Sequence, residues 1–351
     1  MTVPTEEFAN RVFASALGAI EIYSIHIGDR LGFYRALAEG PKTAGQLATA
    51  TRVDERYVRE WLEQQATSGI LSADVDETET AFSIPASHSE VLAEELSGFY
   101  LAPLARMLTT SGEKMTMLLD AYQSGSGVSW DTFGQDMRES QADMNRPFFT
   151  HDLAGAVALI DSAHQRLSNP GARAADVGCG VGWSTISLAR AYPEATFRGY
   201  DVDAPSIETA RQNAAEEGLS DRVSFGTEDI GSGSEGRIFD VAFAFECIHD
   251  MSRPVSVLAA MHEMVRPGGV VVVMDEAVGD EFTGEGDEIE KLMYGFSLLV
   301  CLPDGLSSQP SVGTGTVMRP AKLASYAEEA GFSGFQPRNE AGFFRFYELT
   351  P

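Results

Sequence analysis

Three short stretches combine residue types and spacings that could do chemistry. ECIHD, Glu246 to Asp250, follows the apolar run FDVAFAF and sets a histidine among acids. MDE, Met274 to Glu276, ends a second apolar run with two acids side by side. A histidine titrates near pH 6.5 and can take a proton from a hydroxyl when an acid orients its ring, so His249 is a candidate base. Asp250 is expected to point away from it, because neighbouring side chains diverge. The third stretch is DVGCGVG, Asp176 to Gly182. Its glycines read G-x-G-x-G, and Trp183 stands where the dinucleotide fingerprint G-x-G-x-x-G requires glycine. Cys179, Cys247 and Cys301 lie far apart without C-x-x-C spacing, so no disulfide framework and no metal site are expected.

A glycine loop of this kind needs a strand before it and a helix after it. The periodicity predicts strands at Ala174 to Val177, Thr196 to Tyr200, Val223 to Phe225, Val241 to Phe245 and Val270 to Met274. It predicts helices at Ser184 to Ala191, Ser206 to Glu217 and Val255 to Val265. This alternation implies a doubly wound, mostly parallel α/β sheet, and Gly342 to Leu349 suits a final antiparallel strand. Ligands of such sheets sit beyond the carboxyl ends of the strands, where the loop falls. Asp201 ends the second strand, placed to accept ribose hydroxyls, which fits either NAD or S-adenosylmethionine. Asp229, just past the third strand, offers a carboxylate for an adenine amino group, and no basic residue beside the loop awaits a pyrophosphate.

The N-terminal third has a different pattern. Residues Glu6 to Ala38 carry Phe8, Val12, Phe13, Leu17, Ile20, Tyr23, Ile27, Leu31 and Tyr34 at helical spacing, a stripe too wide for a solvated helix. A short helix at Gly45 to Ala50 leads to a second one capped by Asp54, with Tyr57, Val58, Trp61 and Leu62 on one face and Gly69 as its stop. Ile70 to Leu71 and Ala81 to Ile84 then flank the acidic turn DVDETET, completing a winged helix. Its second helix carries four acids and two bases over Asp54 to Glu63, a poor match to phosphates and base edges. Residues 97–168 read as further helices broken at SGSGVS and at Pro147. The expected division is a winged-helix and dimerisation domain over 1–95, a helical connector and lid over 96–150, and a Rossmann-like catalytic domain over 151–351.

ADVGCGVG, GYDVD, GTEDI and FDVAFAFECIHDM followed by VRPGG resemble the successive motifs of class I S-adenosylmethionine-dependent methyltransferases, across about 172–276. The winged-helix start, LMYGFSLLVCLPDGLS and GTGTVMRP are similar to the actinobacterial winged-helix methyltransferases. The resemblance implies Gly178, Gly180 and Gly182 against the methionine tail of S-adenosylmethionine, with Asp176 toward its amino group. It also implies Asp201 and Val202 at the ribose, Asp229 and Ile230 at the adenine, and Phe245 and Glu246 beside the sulfonium. ECIHD resembles the histidine–aspartate pair of small-molecule O-methyltransferases, which implies His249 as general base and an acid of the adjacent strand, Asp275 or Glu276, as its partner.

The expected activity is methyl transfer to a small, largely apolar molecule, with oxygen favoured over nitrogen or carbon. A lid of Met144, Phe148, Phe149, Met293, Tyr294, Phe296, Leu299 and Val300 is expected over the acceptor. A cofactor-sensing DNA-binding regulator and a non-methyl enzyme that uses the sulfonium as a charge are the rival readings. The 351 residues carry 25 bases against 52 acids, a net charge of −27, which disfavours nucleic acids and anionic membranes as partners. With a mean hydropathy of −0.10 and no apolar stretch long enough to span a bilayer, a cytoplasmic homodimer is expected.

Overall fold

The computed structural model describes residues 4–76, 79–233 and 236–351. It separates into two compact units, Met1–Glu113 with Glu139–Pro147, and Lys114–Arg138 with Phe148–Pro351. Among the described residues no helix is long and apolar enough to cross a membrane.

The first unit opens on the helix Thr5–Arg30, ended by Leu31 and the left-handed Gly32, so the long pattern breaks before the helix Phe33–Ala38. Tyr34 is buried, whereas Phe8, Val12, Phe13, Leu17, Ile20, Tyr23, Ile27 and Leu31 lie exposed along the first helix. The helices Ala44–Thr51 and Glu55–Thr67 follow, the first held by a Thr43/Gln46 capping box and the second by the Asp54 carboxylate on the N–H groups of Arg56 and Tyr57. Val58, Trp61 and Leu62 enter the core as expected, but Tyr57 is 77% exposed. Strands β1 (Lys42–Thr43), β2 (Ser72–Val75) and β3 (Thr80–Ser83) form an antiparallel wing in the order β1-β3-β2. β2 starts just past Ile70 and Leu71, and part of the acidic turn lies outside the described residues. A Cβ on Gly28 would stand 2.4 Å from Trp61 and 2.7 Å from Tyr34, so these rings press directly on the first helix.

The second unit is built on seven strands. They are β4 (Arg173–Val177), β5 (Thr196–Asp201), β6 (Val223–Thr227), β7 (Phe239–Phe245), β8 (Val265–Glu276), β9 (Gly334–Ala341) and β10 (Phe344–Thr350), in the order β6-β5-β4-β7-β8-β10-β9. The first five pair in parallel; β10 runs antiparallel between β8 and β9. β9 is not predicted, because Pro337 and its exposed polar residues read as loop; a proline is tolerated there because the strand lies at the sheet edge. Apolar clusters cover both faces of the sheet, one around Phe243, Val272 and Phe346 and the other around Tyr200, Met261 and Tyr347. Pro147 sits inside the helix Gln135–His151 rather than ending it. The break at SGSGVS is real: Gly125 is left-handed and ends the helix Met115–Ser124.

Candidate active site

The switch point of the sheet lies between β4 and β7, where the strand order reverses, and the glycine loop leaves β4 there. Gly178, Gly180 and Gly182 all take left-handed φ, at 70°, 51° and 83°. A Cβ on Gly178 would meet Cys247 at 2.7 Å and one on Gly182 would meet Phe225 at 2.6 Å, so those two positions exclude any other residue. Gly180 faces open space. Its N–H donates to Asp201 Oδ2 at 2.8 Å, and the Asp203 N–H donates to Asp201 Oδ1 at 2.9 Å, which locks the loop to the end of β5.

Asp176 is buried, and its Oδ2 accepts from the Ser184 and Thr185 hydroxyls at 2.7 and 2.6 Å. Oδ1 has no donor. Burial pushes this carboxyl up to about 6. The orphan oxygen of Asp176 and the Asp201 carboxylate, on either side of the open Gly180, offer acceptors suited to an amino group and sugar hydroxyls. Val202 is 70% exposed beside Asp201. Asp229 has most of its acceptor capacity engaged, by the Gly231 N–H, the Ser232 hydroxyl and Arg253. Ile230 and Phe245 are buried in the core. Glu246, at the end of β7, holds a left-handed φ of 51°, a strained conformation for a residue with a side chain.

The next turn, Ile248–Asp250, carries His249, which is 2% exposed. Its Nδ1 lies 2.9 Å from Asp275 Oδ1 and 3.4 Å from Glu276 Oε2. Asp275 Oδ1 also accepts the Glu276 N–H, and Glu276 is buried. The expectation that Asp250 points away is overturned: the tight turn brings its Oδ1 to 3.3 Å from Nε2. Burial opposes charge on the imidazole, but Asp250, Asp275 and Glu276 outweigh it and hold its pKa well above 6.5. The two acids of β8 part company. Burial and the Asp275 carboxylate keep Glu276 protonated well above the usual range, whereas against burial the histidine and hydrogen bonds hold Asp275 below it. Cys301, on the π-helical turn Ser297–Cys301, lies beside this group, its thiol pushed up to about 12 by burial. Nothing in the sequence marks it, because the turn that delivers it has no spacing signature.

Residues 168–306 match the family described as a methyltransferase domain, and residues 19–94 match the Rv2258c-like winged HTH domain. The chain carries a class I methyltransferase domain behind a winged-helix domain. Within this methyltransferase, 72 residues are 40% identical to the methyltransferase GfsG of Streptomyces halstedii, a match over 20% of this chain and 26% of that relative's length. The whole chain shares its fold with an O-methyltransferase family protein from Burkholderia thailandensis, at 17% identity and a TM-score of 0.73 over 100% of this chain and 98% of that one. It shares it as well with human N-acetylserotonin methyltransferase in complex with SAM, at 17% identity and a TM-score of 0.73 over 99% of each chain. The cofactor such a domain calls for is S-adenosylmethionine, and the acceptors of Asp176 and Asp201 beside the open Gly180 fit it.

Proposed function

We propose that this methyltransferase acts on a small, largely apolar molecule, with oxygen as the methylated atom and His249 as general base. The observation that carries the reading is the bond between His249 Nδ1 and Asp275, which leaves Nε2 as the nitrogen that takes the proton. The cofactor supplies an electrophilic methyl carbon, so the chain's own work is to align the acceptor and relieve it of a proton. Asp275 fixes the tautomer and stabilises the imidazolium that forms. The segment 288–301 brings Met293, Phe296 and Leu299, all half-buried, with Tyr294 and Leu298 more exposed, a surface that favours an apolar acceptor.

Phenolic, amine and carbon acceptors offered with isotopically labelled cofactor, and read by mass spectrometry, test the proposal. A labelled phenol or alcohol is expected. Methylation of amines alone would replace base catalysis with simple alignment.

Nucleic acid is not the acceptor in this reading. In the helix Glu55–Thr67 both bases are engaged by acids of the same helix, Arg56 with Glu60 at 2.5 Å and Arg59 with Glu55 at 2.8 Å. We further infer a cytoplasmic homodimer joined through the exposed stripe of the first helix, where eight large apolar residues are 42–66% exposed. Replacing Phe13 and Leu17 by glutamate should convert a dimer to a monomer in light scattering. An unchanged mass would place the interface elsewhere.

A further inference from the structure

His249 also faces two half-buried side chains that the proton-transfer reading leaves without a task. We propose that His249 Nε2, the Asp250 carboxylate and the Cys301 sulfur form a binding site for a divalent ion of the zinc class. These three ligand atoms all lie within 4.8 Å of one another. Nε2 and Oδ1 are 3.3 Å apart, the separation of two ligands each about 2.0 Å from a tetrahedral zinc. Imidazole, carboxylate and thiolate together make a borderline-soft donor set that suits zinc rather than magnesium or calcium.

Two further observations point the same way. Asp275 holds Nδ1 from behind, the carboxylate–histidine arrangement that aims the other nitrogen at a metal. Thr316 is 2% exposed, and its hydroxyl, which has no nitrogen or oxygen partner, lies against the Cys301 sulfur, placed to donate to a thiolate. The alternative set of His249, Asp275 and Glu276 is wholly buried, whereas Asp250 and Cys301 are half-buried, so the site lies nearer to solvent. On binding, the Cys301 S–H bond breaks, a sulfur–metal bond forms, and the thiol proton passes to solvent along with any proton on Nε2.

An ion at Nε2 occupies the nitrogen that accepts the acceptor's proton, so zinc should stop methyl transfer; this consequence rests on His249 as base, but the binding does not. The test titrates zinc into the full chain against a chromogenic chelator, and cobalt in its place to look for the near-ultraviolet thiolate-to-cobalt band. One equivalent and the band are expected. Cys301→Ser should lose the band and weaken zinc at least about tenfold, while Cys247→Ser keeps both. Should Cys301→Ser fail to fold by circular dichroism, Asp250→Asn should keep the band and weaken the ion. A cobalt spectrum without the sulfur band, or wild-type zinc affinity in a folded Cys301→Ser protein, overturns the site. Zinc that binds through Cys301 yet leaves methyl transfer intact upholds the site and overturns the base.

Discussion

His249→Ala should lower kcat about 10²–10⁴-fold while leaving S-adenosylhomocysteine affinity nearly unchanged, because the imidazole is bound to Asp275 and not to the glycine loop. Only the neutral ring accepts a proton, and the surrounding acids hold its pKa well above 6.5, so the wild-type rate should rise with pH through a midpoint above the 6–7.5 that the sequence suggests. Asp275→Asn removes the ionised partner and should lower both kcat and that midpoint. Glu276→Gln replaces an acid already held protonated and should change the rate far less. Initial rates across pH 6–10 decide the matter. A His249→Ala protein that keeps more than about a third of its activity at every pH ends the base assignment.

Asp201→Ala should weaken the cofactor by about 2–4 kcal/mol, roughly 30- to 1,000-fold, through the loss of charge-assisted bonds to the ribose. The structure adds a second route to the same loss. The carboxylate also receives the Gly180 and Asp203 N–H groups, so its removal frees the glycine loop from the end of β5. Asp201→Asn, which keeps one acceptor oxygen, should fall between. Calorimetry with S-adenosylhomocysteine and with NAD reads both: tight binding of the first and none of the second is expected, and wild-type affinity in Asp201→Ala would move the ribose contact elsewhere.

The core of the sheet was legible because period and glycine spacing are local. Each predicted strand from Ala174 to Met274 lies inside an observed one, and the observed strands run further, as β8 does to Val265 and Glu276. What failed depended on non-local or unusual backbone. Pro147 reads as a helix stop, yet Gln135–His151 accommodates it. The approach of Asp250 to His249 comes from a turn tighter than the extended chain assumed for neighbours, and Cys301 arrives on a π-helical turn that no periodicity announces. The sequence left Asp275 and Glu276 equivalent. Only the shared burial, which lets one ionise at the expense of the other, separates them.

β10 bears on how this enzyme is made. Its residues Phe344 to Leu349 pair with Glu276 to Val271, so the strand that carries both acids of the site borders on a segment synthesised some seventy residues later. While the chain is still emerging, β8 has its β7 neighbour on one side and a row of unpaired N–H and C=O groups on the other. β9 cannot fill that row first, because among the described residues β10 is its only link to the sheet. The nascent chain thus carries an open, valine-rich edge beside Asp275 and Glu276 until β10 has been made, and β10 is the strand that closes it.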